Sequence, residues 1–184
     1  TIAAGKTLTN NGTINLTNTN AKLYTTTTNL DIKTNVPDFK VVYNAATTEP
    51  EVAAHYALVA KNYTFDVTDA EGNLVAQYET FPQAIDAATD NQIVVIKTNG
   101  PIQLGSNKSQ GVTSKNVTVK TADHIQSVFV DYYNRKLEVN NGATIKFDGV
   151  ILLPLNANQL NARQNGFVVN NGGTVEFVNG ADIT

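Results

Sequence analysis

Aromatic and cationic side chains that could bind a sugar polymer lie close together in the second half of this 184-residue chain. One short segment holds Tyr132, Tyr133, Arg135 and Lys136, and Arg163 follows in a polar stretch. Aromatic rings pack on the apolar faces of sugars, and a guanidinium pairs with a carboxylate through two parallel hydrogen bonds. These five residues are therefore the predicted binding site for a glycan or an anionic polymer.

A polysaccharide lyase would need more than this from the same region. It requires clustered acidic metal ligands, and a basic residue that takes a proton beside a uronate carboxylate. The acidic and basic residues of this region that could serve are Asp131, Arg135, Lys136, Asp148 and Arg163. Two separated aspartates do not form an acidic cluster, so we expect no enzyme activity and keep the lyase as an alternative.

Nucleophilic catalysis has little support in the sequence. The chain has no Cys, which excludes disulfides, thiolate chemistry and Cys-ligated zinc. His55 and His124 are its two histidines, and the Gly-x-Ser-x-Gly motif of serine hydrolases is absent. Asp123 directly precedes His124, but sequence neighbours on a turn do not make a catalytic pair. We therefore predict no catalytic residues.

Calcium binding has only a partial motif. Asp66, Asp69 and Glu71 precede Gly72, as acidic residues precede the glycine of an EF-hand loop. Val67, however, occupies the first ligand position, and no glutamate closes the loop. We predict a hairpin turn with acidic residues here, and no cofactor.

The composition excludes some partners and favours one fold class. The formal net charge is −3 and there is no basic run, so we expect no nucleic-acid partner. No window of about 18 apolar residues occurs, so we expect no membrane insertion. Charged residues make up only 16%, while Asn and Thr are abundant. Thr favours strands and Asn favours turns, which predicts an all-β, turn-rich fold.

An internal repeat organises the second half of the chain. Residues 137–147 align without a gap on residues 167–177, and each copy reads as a strand, an Asn-Asn-Gly turn and an alternating strand. A shorter copy covers residues 8–16. Asn140 and Asn170 are 30 residues apart, which is too far for the two strands of one hairpin. The repeat therefore predicts tight corners that stack on one another.

The stacked register makes further predictions. Lys146 and Glu176 become neighbours on adjacent strands and form an opposite-charge pair. The polar residues 154–165, which lack a strand pattern, become a loop. Strand-like runs lie upstream at residues 93–96, 101–104, 116–119, 127–132 and 137–139. Both ends of the chain stop within a strand pattern, so we expect a fragment of a longer protein.

A hairpin and a helix are predicted before these strands. Residues 63–69 and 74–78 alternate in polarity and flank a turn. Thr80 and Gln83 form a capping box, and Pro82 suits a first helical turn. One face of the helix is apolar, with Phe81, Ala84, Ile85 and Ala88. We expect this helix to cover an open end of the stacked strands.

Two features nearer the N-terminus have no single interpretation. Thr48 and Glu51 could form another capping box. Residues 53–60 are compatible with either a helix or a strand.

Three segments carry a resemblance to a known family. Residues 78–88 (YETFPQAIDAA), followed by 93–96 (IVVI) and 115–119 (KNVTV), resemble the start of pectate-lyase-like right-handed parallel β-helices in bacterial surface proteins. The Asn-Asn-Gly repeats are similar to those of adhesins attached to Gram-positive cell walls. The resemblance covers residues 56–184, and residues 1–36 more loosely.

The predicted fold is all-β: a right-handed parallel β-helix, or β-solenoid, with a short capping helix and a β-hairpin. Three segments make it up: N-terminal rungs (residues 1–36), the hairpin and capping helix (37–90), and the main rungs (91–184).

The resemblance also implies a function. It implies a non-catalytic adhesion module, extracellular on a bacterial cell surface or cell wall, that binds a glycan or another component of the host or wall. One alternative is a β-helical polysaccharide lyase. Another is a structural stalk or surface-layer module that associates with itself end to end or along its strand edges.

Overall fold

The computed structural model describes residues 12–105, 110–113, 115–131, 136–155 and 166–183. It is mostly β, with 47% strand and 5% helix. The elements in chain order are β1 (Ile14–Asn15), β2 (Lys22–Tyr24), β3 (Ile32–Lys33), β4 (Phe39–Asn44), β5 (Thr47–Thr48), β6 (Glu51–Val52), β7 (His55–Ala60), β8 (Phe65–Thr68), β9 (Leu74–Tyr78), α1 (Phe81–Ala87), β10 (Ile93–Ile96), β11 (Gln110–Thr113), β12 (Asn116–Thr121), β13 (Ser127–Val130), β14 (Leu137–Asn140), β15 (Thr144–Asp148), β16 (Ile151–Pro154), β17 (Phe167–Val169), β18 (Thr174–Val178) and β19 (Asp182–Ile183). They fall into two compact units, Thr1–Lys61 and Asn62–Thr184.

The first unit is built on an antiparallel sheet in the order β2-β7-β4. Leu23, Tyr56 and Tyr43 form one row across it, and the two tyrosine rings lie 5.0 Å apart between centroids. Tyr56 and Leu58 are buried because alternate residues of a strand point to the same face. This alternation makes residues 55–60 a strand, which resolves the segment that had two interpretations.

Two small pairings complete the first unit. β1 and β3 pair in parallel over two residues each. β5 and β6 form a short hairpin in which Thr48 lies opposite Glu51. A capping box at these two residues is therefore wrong, because the chain turns back on itself instead of entering a helix.

The second unit contains three sheets. One has six strands in the order β18-β15-β12-β10-β8-β9, and two have three strands each, β11-β14-β17 and β13-β16-β19. All neighbours are parallel except around the β8–β9 hairpin, which pairs antiparallel with β10. The inward row of the large sheet runs through Val94, Val119, Phe147 and Phe177. The rings of Phe147 and Phe177 stack with centroids 5.3 Å apart.

The Asn-Asn-Gly segments are corners between sheets. The strands on either side of Asn141-Gly142 belong to different sheets, β14 to one and β15 to another. Asn141 and Gly142 have φ of 52° and 74°, and the Ala143 N–H donates to the Asn140 carbonyl at 3.0 Å. Both central residues need positive φ, which Asn and Gly adopt most readily. The corner interpretation of this repeat is confirmed.

The predicted strand register is confirmed as well. β15 pairs with β18 so that Lys146 lies directly opposite Glu176. The Asn170 N–H donates to the Val139 carbonyl at 2.9 Å, which stacks the second corner on the first.

The predicted hairpin and helix are both present. β8 and β9 pair antiparallel, with a bulge after Val67. The side chain of Thr80 accepts a hydrogen bond from the Gln83 N–H at 3.4 Å and caps α1. The apolar face of the helix is buried and packs against β8, β9, β10 and β11.

The predicted fold class is wrong. In the described residues the strands form several small sheets, with both parallel and antiparallel neighbours, in place of the predicted right-handed parallel β-helix. One reason is local: the short turn between β8 and β9 forces them antiparallel, and this hairpin then joins the large sheet beside β10. The other lies in the first unit, where β2, β7 and β4 form an antiparallel sheet. The division at residues 36 and 90 stays a prediction.

Candidate functional site

The predicted sugar site lies mostly outside the described residues. Tyr132, Tyr133, Arg135 and Arg163 are not among them. Lys136 is described, and its Nζ lies 2.8 Å from Glu138 Oε1. A Cβ added to Gly105 would overlap the Lys136 carbonyl, so the two backbones are in close contact here. The ammonium of Lys136 is thus paired with Glu138 of the strand that follows it, β14.

The two aspartates of the lyase alternative are not brought together. Asp131 follows β13, and its Oδ2 accepts a hydrogen bond from Gln103 Nε2 at 3.2 Å. Asp148 ends β15 in a different sheet. Within the part of the chain that the structure describes, no group of three His, Asp or Glu side chains could hold a metal ion.

Asp148 has two partners of its own. Asn179 Nδ2 donates to its Oδ1 at 2.6 Å, and Lys120 Nζ lies 3.4 Å from its Oδ2. The hydrogen bond from Asn179, followed by Lys120, lowers the pKa of Asp148 below the ordinary 3.8. The carboxylate is ionised at neutral pH, so it cannot serve there as a general acid.

The acidic residues of the partial calcium motif serve the hairpin. Asp66 forms an ion pair with Lys97 at 2.6 Å and accepts a hydrogen bond from Gln77 at 2.9 Å. Asp69 accepts bonds from the backbone N–H and the side chain of Asn73, at 2.8 and 2.9 Å. These bonds lower the pKa of Asp69. Both carboxylates are therefore directed at protein partners, as the hairpin prediction requires.

An exposed aromatic surface lies on the outer face of the first unit's sheet. Tyr24, His55 and Asn44 occupy one row across β2, β7 and β4, and Lys22 lies two residues before Tyr24 on the same face. We call these four residues the Tyr24 face. Tyr24 is 59% exposed, the largest fraction among the exposed large hydrophobic residues of the described chain.

The ring of Tyr24 has a fixed support. Its centroid lies 5.3 Å from that of His55, with 39° between the ring planes. His55 itself is only 7% exposed. Its Nδ1 lies 2.8 Å from the Ala53 carbonyl, and because a carbonyl can only accept, Nδ1 carries the proton. This hydrogen bond orients the imidazole that contacts the exposed ring of Tyr24.

The Tyr24 face was missed in the sequence, although one signal was present. Lys22, Leu23 and Tyr24 alternate, so Lys22 and Tyr24 fall on one face of a strand. Nothing local joins them to His55, which lies 31 residues further along the chain.

A cleft of about 760 Å³ in the second unit is another candidate for a binding site. It borders the start of α1, and its polar lining includes Asn62, Glu79, Gln83, Thr98 and Gln103. Several of these groups already have protein partners: Glu79 accepts from the Asn62 N–H, and Thr98 from the Gly100 N–H. The cleft contains no exposed aromatic ring, so it is a weaker candidate for sugar binding than the Tyr24 face.

Searches of protein-family models, curated proteins and solved structures find no match to this chain. No described helix is both long enough and apolar enough to cross a membrane.

Proposed function

We propose that this chain is a non-catalytic glycan-binding module that works outside the cell, on a bacterial surface or cell wall. The observation that supports the proposal is the exposed ring of Tyr24, which lies against His55 on the β2-β7-β4 sheet beside Asn44 and Lys22. The same two chemistries, aromatic and cationic, made the Tyr132–Lys136 segment attractive in the sequence.

A supported ring is well suited to sugar binding. The apolar face of a pyranose packs on an aromatic ring, and the tyrosine hydroxyl remains exposed to solvent, where it can form a hydrogen bond. Because Tyr24 is on a strand and rests on His55, little side-chain freedom is lost on binding. The amide nitrogen of Asn44 donates to the Val42 carbonyl at 3.4 Å, and its amide oxygen can accept a hydrogen bond from a sugar hydroxyl. The positive charge of Lys22 favours sugars that carry a carboxylate or a sulfate.

The cell-surface part of the proposal rests on composition and resemblance. The chain has neither Cys nor Met, so it depends on no disulfide and offers no readily oxidised thioether. Its few charges and many Asn and Thr residues are typical of the surface repeats that it resembles.

A glycan array tests the proposal directly. We expect the unmodified chain to bind a subset of glycans, and Tyr24→Ala to weaken that binding by about tenfold, or about 1.4 kcal/mol. Tyr24→Phe keeps the ring and should retain most of the affinity. Leu74→Ala removes a side chain of similar exposure, 57%, from the other unit and should change nothing.

Two results would count against the proposal. One is the absence of binding to any glycan by the unmodified chain. The other is equal binding by the unmodified chain and by Tyr24→Ala. Loss of binding in Arg135→Ala with Arg163→Ala, but not in Tyr24→Ala, would instead support the site predicted from sequence.

Self-association is a second candidate, favoured by three edge strands. β17, β18 and β19 each lie at the edge of their sheet, where backbone groups are open to another strand. Val169 and Ile183 on two of them are 48% and 43% exposed. Light scattering over a range of concentrations should then show oligomers that Val169→Lys with Ile183→Lys abolishes. A strictly monomeric unmodified chain would exclude this candidate.

A further inference from the structure

The described residues contain four Asn-Gly pairs: 99–100, 141–142, 171–172 and 179–180. In all four the asparagine is exposed, so access to water does not distinguish them. Asn-Gly is the dipeptide most prone to spontaneous deamidation, because glycine has no side chain to shield its backbone nitrogen. The four pairs differ, however, in the hydrogen bonds made by the glycine N–H and by the asparagine side chain.

The reaction has defined requirements. The glycine N–H loses its proton, and the nitrogen attacks Cγ of the asparagine to form a five-membered succinimide, while the side-chain nitrogen leaves as ammonia. Water then opens the ring at one of its two carbonyls and gives aspartate or isoaspartate. One water is consumed, one ammonia is released, and nothing is oxidised or reduced. A hydrogen bond from the glycine N–H, or one that fixes the asparagine amide, opposes the first step.

Three of the pairs are held by such a bond. The Gly100 N–H donates to Thr98 Oγ1 at 3.2 Å. The Gly142 N–H donates to the Asn171 carbonyl of the stacked corner, also at 3.2 Å. The side-chain amide of Asn179 donates to Asp148 at 2.6 Å.

The fourth pair has neither restraint. Among the described residues, no hydrogen bond involves the Gly172 N–H or the Asn171 side chain. A Cβ placed on Gly142, Gly172 or Gly180 would meet no atom within 4 Å, so these three pairs are equally open and differ in their hydrogen bonds.

We infer that Asn171 is a modification site, where this chain converts spontaneously to aspartate and isoaspartate. Because the Gly142 N–H is bonded to the Asn171 carbonyl, deamidation at the two corners should follow a fixed order. Isoaspartate lengthens the backbone at residue 171 by one carbon and displaces the carbonyl that holds the Gly142 N–H. Asn141 therefore deamidates second, after its restraint is lost.

Peptide mapping by mass spectrometry during incubation at mildly alkaline pH tests this inference. We expect Asn171 to convert about fivefold faster than Asn141, which corresponds to about 1 kcal/mol and is the usual value of one hydrogen bond. In strong denaturant the rates at the four pairs should converge. The inference fails if Asn99, Asn141 or Asn179 converts as fast as Asn171 in the folded chain, or if the same ranking persists in denaturant.

Two variants each remove a single hydrogen bond at one pair, so they test that restraint without unfolding the chain. Asp148→Ala frees the amide of Asn179, and conversion at Asn179 should approach the rate at Asn171. Thr98→Ala removes the acceptor of the Gly100 N–H, and conversion at Asn99 should rise while conversion at Asn141 stays unchanged. An unchanged rate at Asn179 in Asp148→Ala, together with an unchanged rate at Asn99 in Thr98→Ala, would overturn the assignment.

Discussion

Asp148 illustrates how neighbouring residues set the state of a carboxylate. Asn179 contributes most to its lowered pKa, and Lys120 adds to the effect. A pKa that is lower in the folded chain than in the unfolded chain stabilises the fold above the ordinary value of 3.8. As the pH falls below that value, the unfolded chain takes up a proton first, and the stabilisation is lost.

We expect Asp148→Asn to lower the free energy of unfolding at neutral pH by about 1 kcal/mol, the difference between a charged and a neutral hydrogen bond. The gap between the two proteins should stay constant at higher pH and close in acid below pH 3.8. Urea denaturation over a series of pH values measures it. Asn179→Gly keeps the positive φ of this corner but removes the amide, so it should weaken the acid dependence. A gap that widens in acid would contradict this account.

For Tyr24, exposure could be predicted from the sequence, but its contact with His55 could not. Its exposure follows from the alternation of Lys22, Leu23 and Tyr24, but its support by His55 depends on the pairing of β2 with β7. Only the folded sheet brings this aromatic pair together.

At the scale of elements, the features that form within a few residues were predicted best. The turn that Asp69 closes with Asn73, the cap at Thr80 and the corner at Asn141-Gly142 all have their chemistry inside one short segment. Each relies on a side-chain hydrogen bond or a positive φ that the residue type itself favours.

The helix α1 depends on such a local contact. We expect Thr80→Ala to destabilise the second unit by about 1 kcal/mol, because the Gln83 N–H loses its acceptor. Thr80→Ser retains a hydroxyl and should cost only a few tenths of that. Chemical denaturation followed by circular dichroism compares the three proteins. Equal stability of the alanine and serine variants would show that the cap contributes nothing.

Strand direction was the element-scale property that sequence patterns did not settle. A strand in a parallel sheet and one in an antiparallel sheet both alternate with a period of two residues. The repeat placed β14 on β17 and β15 on β18 correctly, but it could not reveal the antiparallel pairing of β8 with β10.

At the scale of the whole molecule, each unit has its own hydrophobic core. The larger core lies entirely within residues 62–184 and includes Phe81, Ile85, Phe147 and Leu152. The smaller one is formed around Leu16, Tyr56 and Leu58. A unit that buries its own apolar surface has the main requirement for folding by itself.

We therefore expect a fragment of residues 62–184 to fold cooperatively, with a β-type circular dichroism spectrum and a single thermal transition. Phe147→Ala, which removes a fully buried ring stacked on Phe177, should lower its stability by about 3–5 kcal/mol. Phe129→Ala removes a ring that is 42% exposed and should cost less than about 1 kcal/mol. An unfolded fragment, or equal effects of the two variants, would contradict the independent core.

By itself, the sequence determined the β-rich composition, the hairpin, the capped helix, the Asn-Gly corners and the register that sets Lys146 opposite Glu176. These depend on residue type, on period and on contacts within a short segment, all of which can be read along the chain. Only the tertiary structure decided the mixed sheets and the meeting of Tyr24 with His55. Both depend on which distant strands pair and in which direction. Burial of each unit's hydrophobic core decides this pairing, and local propensity does not.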